Sequence, residues 1–475
     1  MHDARLCCCD SLPLDFVRDM LDNADICAIS TPAGQGGIAV IRVSGDNALV
    51  IAQKIIESNK PRISGFSPRK VYLCNIVEGS DLIDEVLFVW FKAPYSYTGQ
   101  DMVEISCHGS LYIQHKIIDM LIVAGARIAM PGEFTQRAFL NGKIDLSQSE
   151  AIADLIASGA KASHRLAINQ MKGKLSNEIL LLREKLLEFI SLIELELDFS
   201  EEDVEFADRK QLNALIAVLI ARISELLATF RYGNAIKNGI PVTIAGKPNT
   251  GKSSLLNMLV NEDRAIVSNI PGTTRDTIEE QAVIDGYFFR FIDTAGIRHT
   301  SNEIEIIGIE RARKRIALSE IILLVADSGQ TDAEIIESTN EIQALMDISA
   351  QHLIVLINKT DLSPERNYCL PFEVIPISAT TGINIEVLKT KLVQIVEKMK
   401  VAESDVIITG MRHAEALQNT KEALLRAQVG LYDGLPKDLL AQDVRDAIHF
   451  LGAITGEINA NEVLSSVFKN FCIGK

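Results

Sequence analysis

The chain has 475 residues, 47% hydrophobic and 23% charged, with a formal net charge of −16 and eight cysteines. That length suits two to four globular domains, and the composition excludes a chain without a packed core. The acidic balance argues against a broad nucleic-acid-binding surface, because it repels phosphate, although a local basic patch is still allowed.

Residues 1–23 mix acids and bases around a short apolar stretch and contain three adjacent cysteines, Cys7, Cys8 and Cys9. They resemble neither a signal peptide nor an Arg-rich transit peptide, and a disordered extension is expected. No cysteine pair has zinc-ligand spacing or suggests a disulfide framework, which points to a reducing compartment. No apolar run is read as long enough to span a bilayer; the longest, such as Ala214–Ala221, suit a buried helix. A cytoplasmic protein with no membrane partner is expected.

Residues 24–142 alternate short β-rich runs with turns: Ile38–Val43 and Val86–Phe91 read as strands and Ile113–Val123 as a helix. Residues 143–235 carry Leu and Ile at helical spacing in Ser147–Ala157, Ser176–Asp198 and Lys210–Arg231. Residues 236–399 alternate strand and helix, with strands at Pro241–Ala245, Phe288–Ile292, Ile321–Ala326, His352–Ile357 and Val374–Pro376, as in a mostly parallel sheet. Residues 400–475 return to helix, most clearly in Thr409–Gln428 and Lys437–Thr455. Helical blocks on both sides of an α/β block predict either one helical domain interrupted by an insertion or two separate helical domains.

The inserted block carries five nucleotide-binding elements in order. Gly246-Lys-Pro-Asn-Thr-Gly251-Lys252-Ser253 follows a strand and opens a helix, the context of a phosphate-binding loop. Lys252 would reach the β and γ phosphates and the Ser253 hydroxyl would bind magnesium. In Gly272-Thr273-Thr274-Arg275-Asp276, a threonine would cap magnesium and sense the γ-phosphate. Asp293-Thr294-Ala295-Gly296 follows a strand and begins a switch segment. Asp361 of Asn358-Lys359-Thr360-Asp361 can accept from guanine N1–H and N2–H₂, which adenine does not offer. Ser378-Ala379-Thr380 would support the base. A GTPase follows from the set.

The position after Asp-x-x-Gly, where many GTPases place a water-orienting Gln, holds Ile297. Glu303, Glu305 and Glu310 are alternatives, although for any one of them a solvated helix-face charge is the more usual reading. Arg275 and Arg298 are candidate arginine fingers. A monovalent cation on Asn249 would supply missing charge.

Read together, these residues resemble the MnmE (TrmE) family of tRNA-modifying GTPases. The likeness covers residues 26–475. It rests on Ile38-Ala-Val-Ile-Arg-Val-Ser-Gly45, Tyr97-Thr-Gly-Gln-Asp-Met-Val-Glu-Ile-Ser-Cys-His-Gly109, Pro131-Gly-Glu-Phe-Thr-Gln-Arg-Ala-Phe-Leu-Asn-Gly-Lys143, Ser149-Glu-Ala-Ile-Ala-Asp-Leu-Ile156 and Phe471-Cys-Ile-Gly-Lys475. It implies an α/β plus all-α chain: an N-terminal α/β dimerisation domain, a discontinuous helical domain (residues 143–235 and 400–475) and an inserted Ras-like P-loop GTPase domain at 236–399. It further implies a homodimer and a heterotetramer with the FAD protein MnmG. The implied reaction adds an aminomethyl-type group to C5 of a tRNA wobble uridine, with the carbon drawn from 5-formyl- or 5,10-methylene-tetrahydrofolate.

By motif position the resemblance assigns potassium to Asn249, Ser268, Ile270 and Thr273, and magnesium to Ser253 and Thr274. It selects Glu305 as the water-orienting group, with Lys252 and Arg275 completing the catalytic set. It extends the nucleotide contacts to Thr250, Gly251, Ser254, Asn269, Pro271 and Gly272. Arg42, Glu104, Lys143 and Lys475 would line the folate site, and Cys472 is linked to the modification reaction. The chain departs from the family pattern at Gln35, at Ser268 and in residues 1–22. A ribosome-assembly GTPase is the first rival reading, disfavoured by the acidic charge and the terminal motifs. A regulatory protein that binds GTP without useful turnover is the second, disfavoured by Glu305 and Asn249.

Overall fold

Alternating burial builds the first sheet. A computed structural model describes residues 24–58, 65–198, 209–262, 279–293, 315–363, 366–400, 406–433, 435–457, 467–468, 471 and 474. The chain forms two compact units, residues 1–153 with 448–475, and residues 154–447.

In the first unit the strands are β1 (Ile26–Ile29), β2 (Ile38–Ser44), β3 (Ile56–Ser58), β4 (Val71–Glu78), β5 (Asp81–Phe91), β6 (Met102–His108) and β7 (Arg127–Ile128). They form one mixed sheet in the order β3-β4-β5-β6-β2-β1-β7. Successive residues point to opposite faces. Ala39, Ile41 and Val43 of β2 and Val103, Ile105 and Cys107 of β6 enter a core shared with α1 (Ala48–Gln53) and α2 (Leu111–Ala124). On the other face, Phe134 of α3 (Glu133–Leu140) packs with Ile26, Ala28 and Ala129. Farther from β1, that face keeps Ile38, Val71, Leu73 and Leu87 exposed. Cross-strand register sets Val71, Val89, Glu104 and Arg42 in one row there. Phe468 and Phe471 close a small core with Phe139 and Leu146, at the start of α4 (Leu146–Ala157).

The second unit combines helices with an inserted sheet. Its helices before the insertion are α5 (Lys161–Met171), α6 (Lys174–Asp198), α7 (Arg209–Ala228) and α8 (Phe230–Asn238). Strands β8 (Ile240–Ala245), β9 (Glu279–Ile284), β10 (Tyr287–Asp293), β11 (Ile321–Asp327), β12 (His352–Asn358) and β13 (Val374–Pro376) follow. Between them lie α9 (Lys252–Glu262) and α10 (Asp332–Gln343). After the sheet come α11 (Ile385–Lys398), α12 (Met411–Asp433) and α13 (Lys437–Thr455), which continues into the first unit. The sheet order is β13-β12-β11-β8-β10-β9, parallel except for the β9–β10 pair. All five expected strands are present, each within a residue of its expected bounds at either end. The antiparallel edge strand β9 was not anticipated, because Glu279-Glu280-Gln281 masks its apolar half.

Two corrections concern Lys210–Arg231. The helix breaks at Thr229, between α7 and α8. Leu212–Asn238 also contains an 18-residue stretch apolar enough to cross a membrane by length and composition, with a mean hydropathy of 1.7. Its apolar residues Leu212, Ile216, Leu219, Ile223 and Leu226 instead form a buried stripe on α7, and α7 packs against α12.

The chain segments flanking the insertion are tied directly. Thr229 Oγ1 accepts from the Ile408 N–H at 3.0 Å, and Thr409 Oγ1 donates to Gln170 Oε1 at 3.1 Å, both out of contact with water. A Cβ on Gly233 would lie 2.2 Å from Ile408 O. Gly233→Ala should gain up to about 1 kcal/mol in helix propensity but lose about 1–3 kcal/mol to overpacking. A lowered urea midpoint is expected; an equal or higher one would show that the joint yields.

Candidate functional site

The phosphate loop is shaped by what presses on it. It links the fully buried β8 to α9, with Gly246, Asn249 and Gly251 at φ 145°, 63° and 91°. A Cβ on Gly246 would sit 2.3 Å from Val325 O, and one on Gly251 2.1 Å from Asn358 Nδ2. Glycine is thus required at both places by close approach as well as by φ. Lys252 Nζ donates to Gly246 O at 2.9 Å and Lys247 O at 2.7 Å, so its ammonium lies over the loop. Ser253 and Ser254 stand exposed in the first turn of α9, where unpaired N–H groups favour an anion.

Asn358, 2% exposed at the end of β12, joins the two halves of the site. Its Nδ2 donates to Thr250 O and its Oδ1 accepts from Ala379 N, each at 2.9 Å. Lys359, at φ 65°, donates from Nζ to Asn249 O at 2.8 Å and pairs with Asp327. Asp361 follows, exposed, while Thr360 bonds Ile377 O through both N and Oγ1. The expected phosphate loop, guanine motif and Ser378-Ala379-Thr380 loop are therefore gathered at one edge of the sheet.

Asp327 was missed by sequence reasoning. Its signal is its place at the end of β11, opposite Asn358 in register. Burial pushes its carboxyl up, but the Lys359 hydrogen bond, the Gly329 N–H and the Lys359 charge outweigh that and hold it below the usual range. The folded value is depressed, so this contribution to stability is lost as pH falls through it.

Asp293 ends β10 opposite Ile244 of β8, which places its backbone beside the phosphate loop. Ser268, Asn269, Ile270, Pro271, Gly272, Thr273, Thr274 and Arg275 lie outside the described residues, as do Thr294, Ala295, Gly296, Ile297, Arg298, Glu303, Glu305 and Glu310.

In the first unit Arg42 Nε donates to Glu104 Oε1 at 2.8 Å, and the guanidinium lies 5.8 Å from the centroid of the Tyr97 ring. Lys143 Nζ donates to Pro94 O at 3.0 Å. Arg42 and Lys143 thus both meet the segment Pro94–Tyr97. Cys472 and Lys475 lie outside the described residues, but Gly474 O accepts from Ser30 Oγ at 3.0 Å. A Cβ on Gly474 would lie 2.3 Å from Ile29 O. Sequence reasoning gave no role to Glu133, a buried carboxylate paired with Arg127 and Arg137.

Residues 25–143 match a family model described as the GTP-binding protein TrmE N-terminus, and residues 146–472 match one described as the MnmE helical domain. The tRNA modification GTPase MnmE of Flavobacterium johnsoniae is 45% identical over 466 residues, covering 96% of this chain and 100% of the relative. The same-named protein of Parabacteroides distasonis is 48% identical over 461 residues, covering 95% and 99%.

Asp361→Asn replaces two acceptors with an acceptor and a donor. Affinity for GTP should fall at least about 100-fold, while xanthosine triphosphate, which offers a carbonyl at C2, should gain. Titration with fluorescent nucleotides reads both; unchanged GTP affinity would remove Asp361 from the base site.

Proposed function

The chain belongs to the MnmE family of tRNA modification GTPases, and from that premise we propose that it is a potassium-activated GTPase serving wobble-uridine modification. It hydrolyses GTP to GDP and phosphate. With an FAD-dependent MnmG partner in a heterotetramer, it adds an aminomethyl or carboxymethylaminomethyl group to C5 of the wobble uridine of certain tRNAs. The carbon comes from 5-formyl- or 5,10-methylene-tetrahydrofolate. The observation that carries the nucleotide half is the Asn358 carboxamide, bonded at once to the phosphate loop and to the loop after β13.

The expected ligands that lie within the described residues have chemistry that supports this reading. Asn249 is exposed on the phosphate loop and Ser253 is exposed in the first turn of α9, both hard oxygen donors suited to potassium and magnesium. When bound, such cations would neutralise charge developing on the phosphates. Lys252 is placed over the loop that would hold those phosphates. Ile297 has no polar group to orient water, and the family resemblance gives that role to Glu305. The Arg42–Glu104 pair and Lys143 offer cations for folate carboxylates and an acceptor for a pterin edge. The exposed Ile38, Val71, Leu73 and Leu87 support homodimerisation of the N-terminal domain. We place the protein in the cytoplasm, without a membrane partner.

GTP turnover should be several-fold faster in potassium than in sodium, and Glu305→Ala should abolish the potassium-stimulated rate. Equal rates in both salts would sink the potassium mechanism. Cells deprived of this protein should accumulate tRNA lacking the wobble-uridine modification, seen by nucleoside mass spectrometry; normal modification would exclude the role.

A further inference from the structure

The protein is acidic overall, yet its charge is segregated. No acid occurs between Asp154 and Glu178, while Lys161, His164, Arg165, Lys172 and Lys174 lie between them. The two bounding acids are occupied elsewhere, Asp154 by Lys237 and Glu178 by Arg222. Lys161, His164, Arg165 and Lys172 are exposed, and their spacing puts them on one face of α5 and its C-terminal cap. At 1.5 Å per residue, Lys161 to Lys172 covers about 16 Å of that face. Lys400 adds a cation across a cleft of about 270 Å³ at the start of the helix. Lys161 and Arg165 line that cleft too, together with the acids Asp285 and Glu397, so the basic surface runs from the cleft's mouth along the exposed Lys161, His164, Arg165 and Lys172.

We infer that the basic face of α5 takes the phosphate backbone of the substrate tRNA. The inference rests on the tRNA-modification reading and names a surface for it. A stripe of exposed cations on an otherwise acidic chain is the electrostatic footprint of a polyanion. Three of the four exposed side chains on this face are Lys or Arg, so it would read backbone rather than bases. Ala162 N also donates to Gly286 O at 3.0 Å, so RNA held here lies against the turn between β9 and β10.

The test measures anisotropy of labelled tRNA with the full-length chain across a salt series. The triple variant Lys161→Gln/Arg165→Gln/Lys172→Gln should bind about tenfold or more weakly at low salt, and its plot of log K against log salt should be shallower by about 2–3. The charge-preserving variant Lys161→Arg/Arg165→Lys/Lys172→Arg should keep affinity and slope, and both should hydrolyse GTP at the unmodified rate without tRNA. Equal affinity and slope in the neutral variant overturns the inference, as does a wild-type chain that binds no tRNA. Loss of an acidic protein partner with tRNA binding intact also overturns it. If the wild type restores wobble-uridine modification in deletion cells while the slopes agree, only this surface is wrong. If it restores nothing, the function itself fails.

Discussion

The nucleotide site depends on one buried carboxamide. Asn358 has a donor and an acceptor on the same side chain, and the structure uses both: the donor holds Thr250 O and the acceptor holds Ala379 N. Neither aspartate, which lacks the donor, nor leucine, which lacks both, could bridge these loops. Leaving either backbone group unpaired in so buried a place costs about 1–3 kcal/mol. The bridge forces the close approach that excludes a Cβ at Gly251. The glycine in the phosphate loop is therefore partly a consequence of the asparagine two strands away in the sheet.

The strands make this geometry possible. β8, β11 and β12 are parallel and adjacent, so their C-terminal ends, and the loops that follow, lie along one edge. In-register pairing sets Asp327 opposite Asn358, which brings Lys359 within reach of the Asp327 carboxylate and Asn249 O together. A one-residue slip would move Asp327 to the other face and break the ion pair.

Much of this was legible in sequence because it is carried by local pattern. The phosphate loop, the guanine motif and the five parallel-sheet strands are short motifs flanked by apolar runs, and each was found within a residue or so. Most of what escaped depends on neighbours distant in the chain; β9, joined to β10 by the turn Asp285-Gly286, escaped because of its polar start. Asp327 looks like any strand-ending acid until β12 is laid beside β11. The polar lead of β9 conceals an edge strand whose partner is β10. Thr229 reads as an ordinary helix residue, but its hydroxyl is claimed by Ile408, and the helix breaks there. The Arg42–Glu104 pair required the β2–β6 register, which composition does not reveal.

The insertion also explains why one helical part is built from two chain segments. Gly239 alone separates α8 from β8, so the sheet starts where the helix stops. At the other end, Ile408 returns to Thr229 and Thr409 to Gln170, which closes the excursion over the helices it left. A third attachment comes from within the sheet, where the turn after β9 bonds the N-terminus of α5. Strand β10 runs from that turn to Asp293, so the residue that opens the Asp-x-x-Gly motif and Gly286, the residue bonded to α5, lie at opposite ends of one strand. Parallel hydrogen bonds to β8 and antiparallel ones to β9 stiffen that element on both sides. The Ala162–Gly286 hydrogen bond thus ties the start of α5 to the turn from which β10 runs to the nucleotide edge.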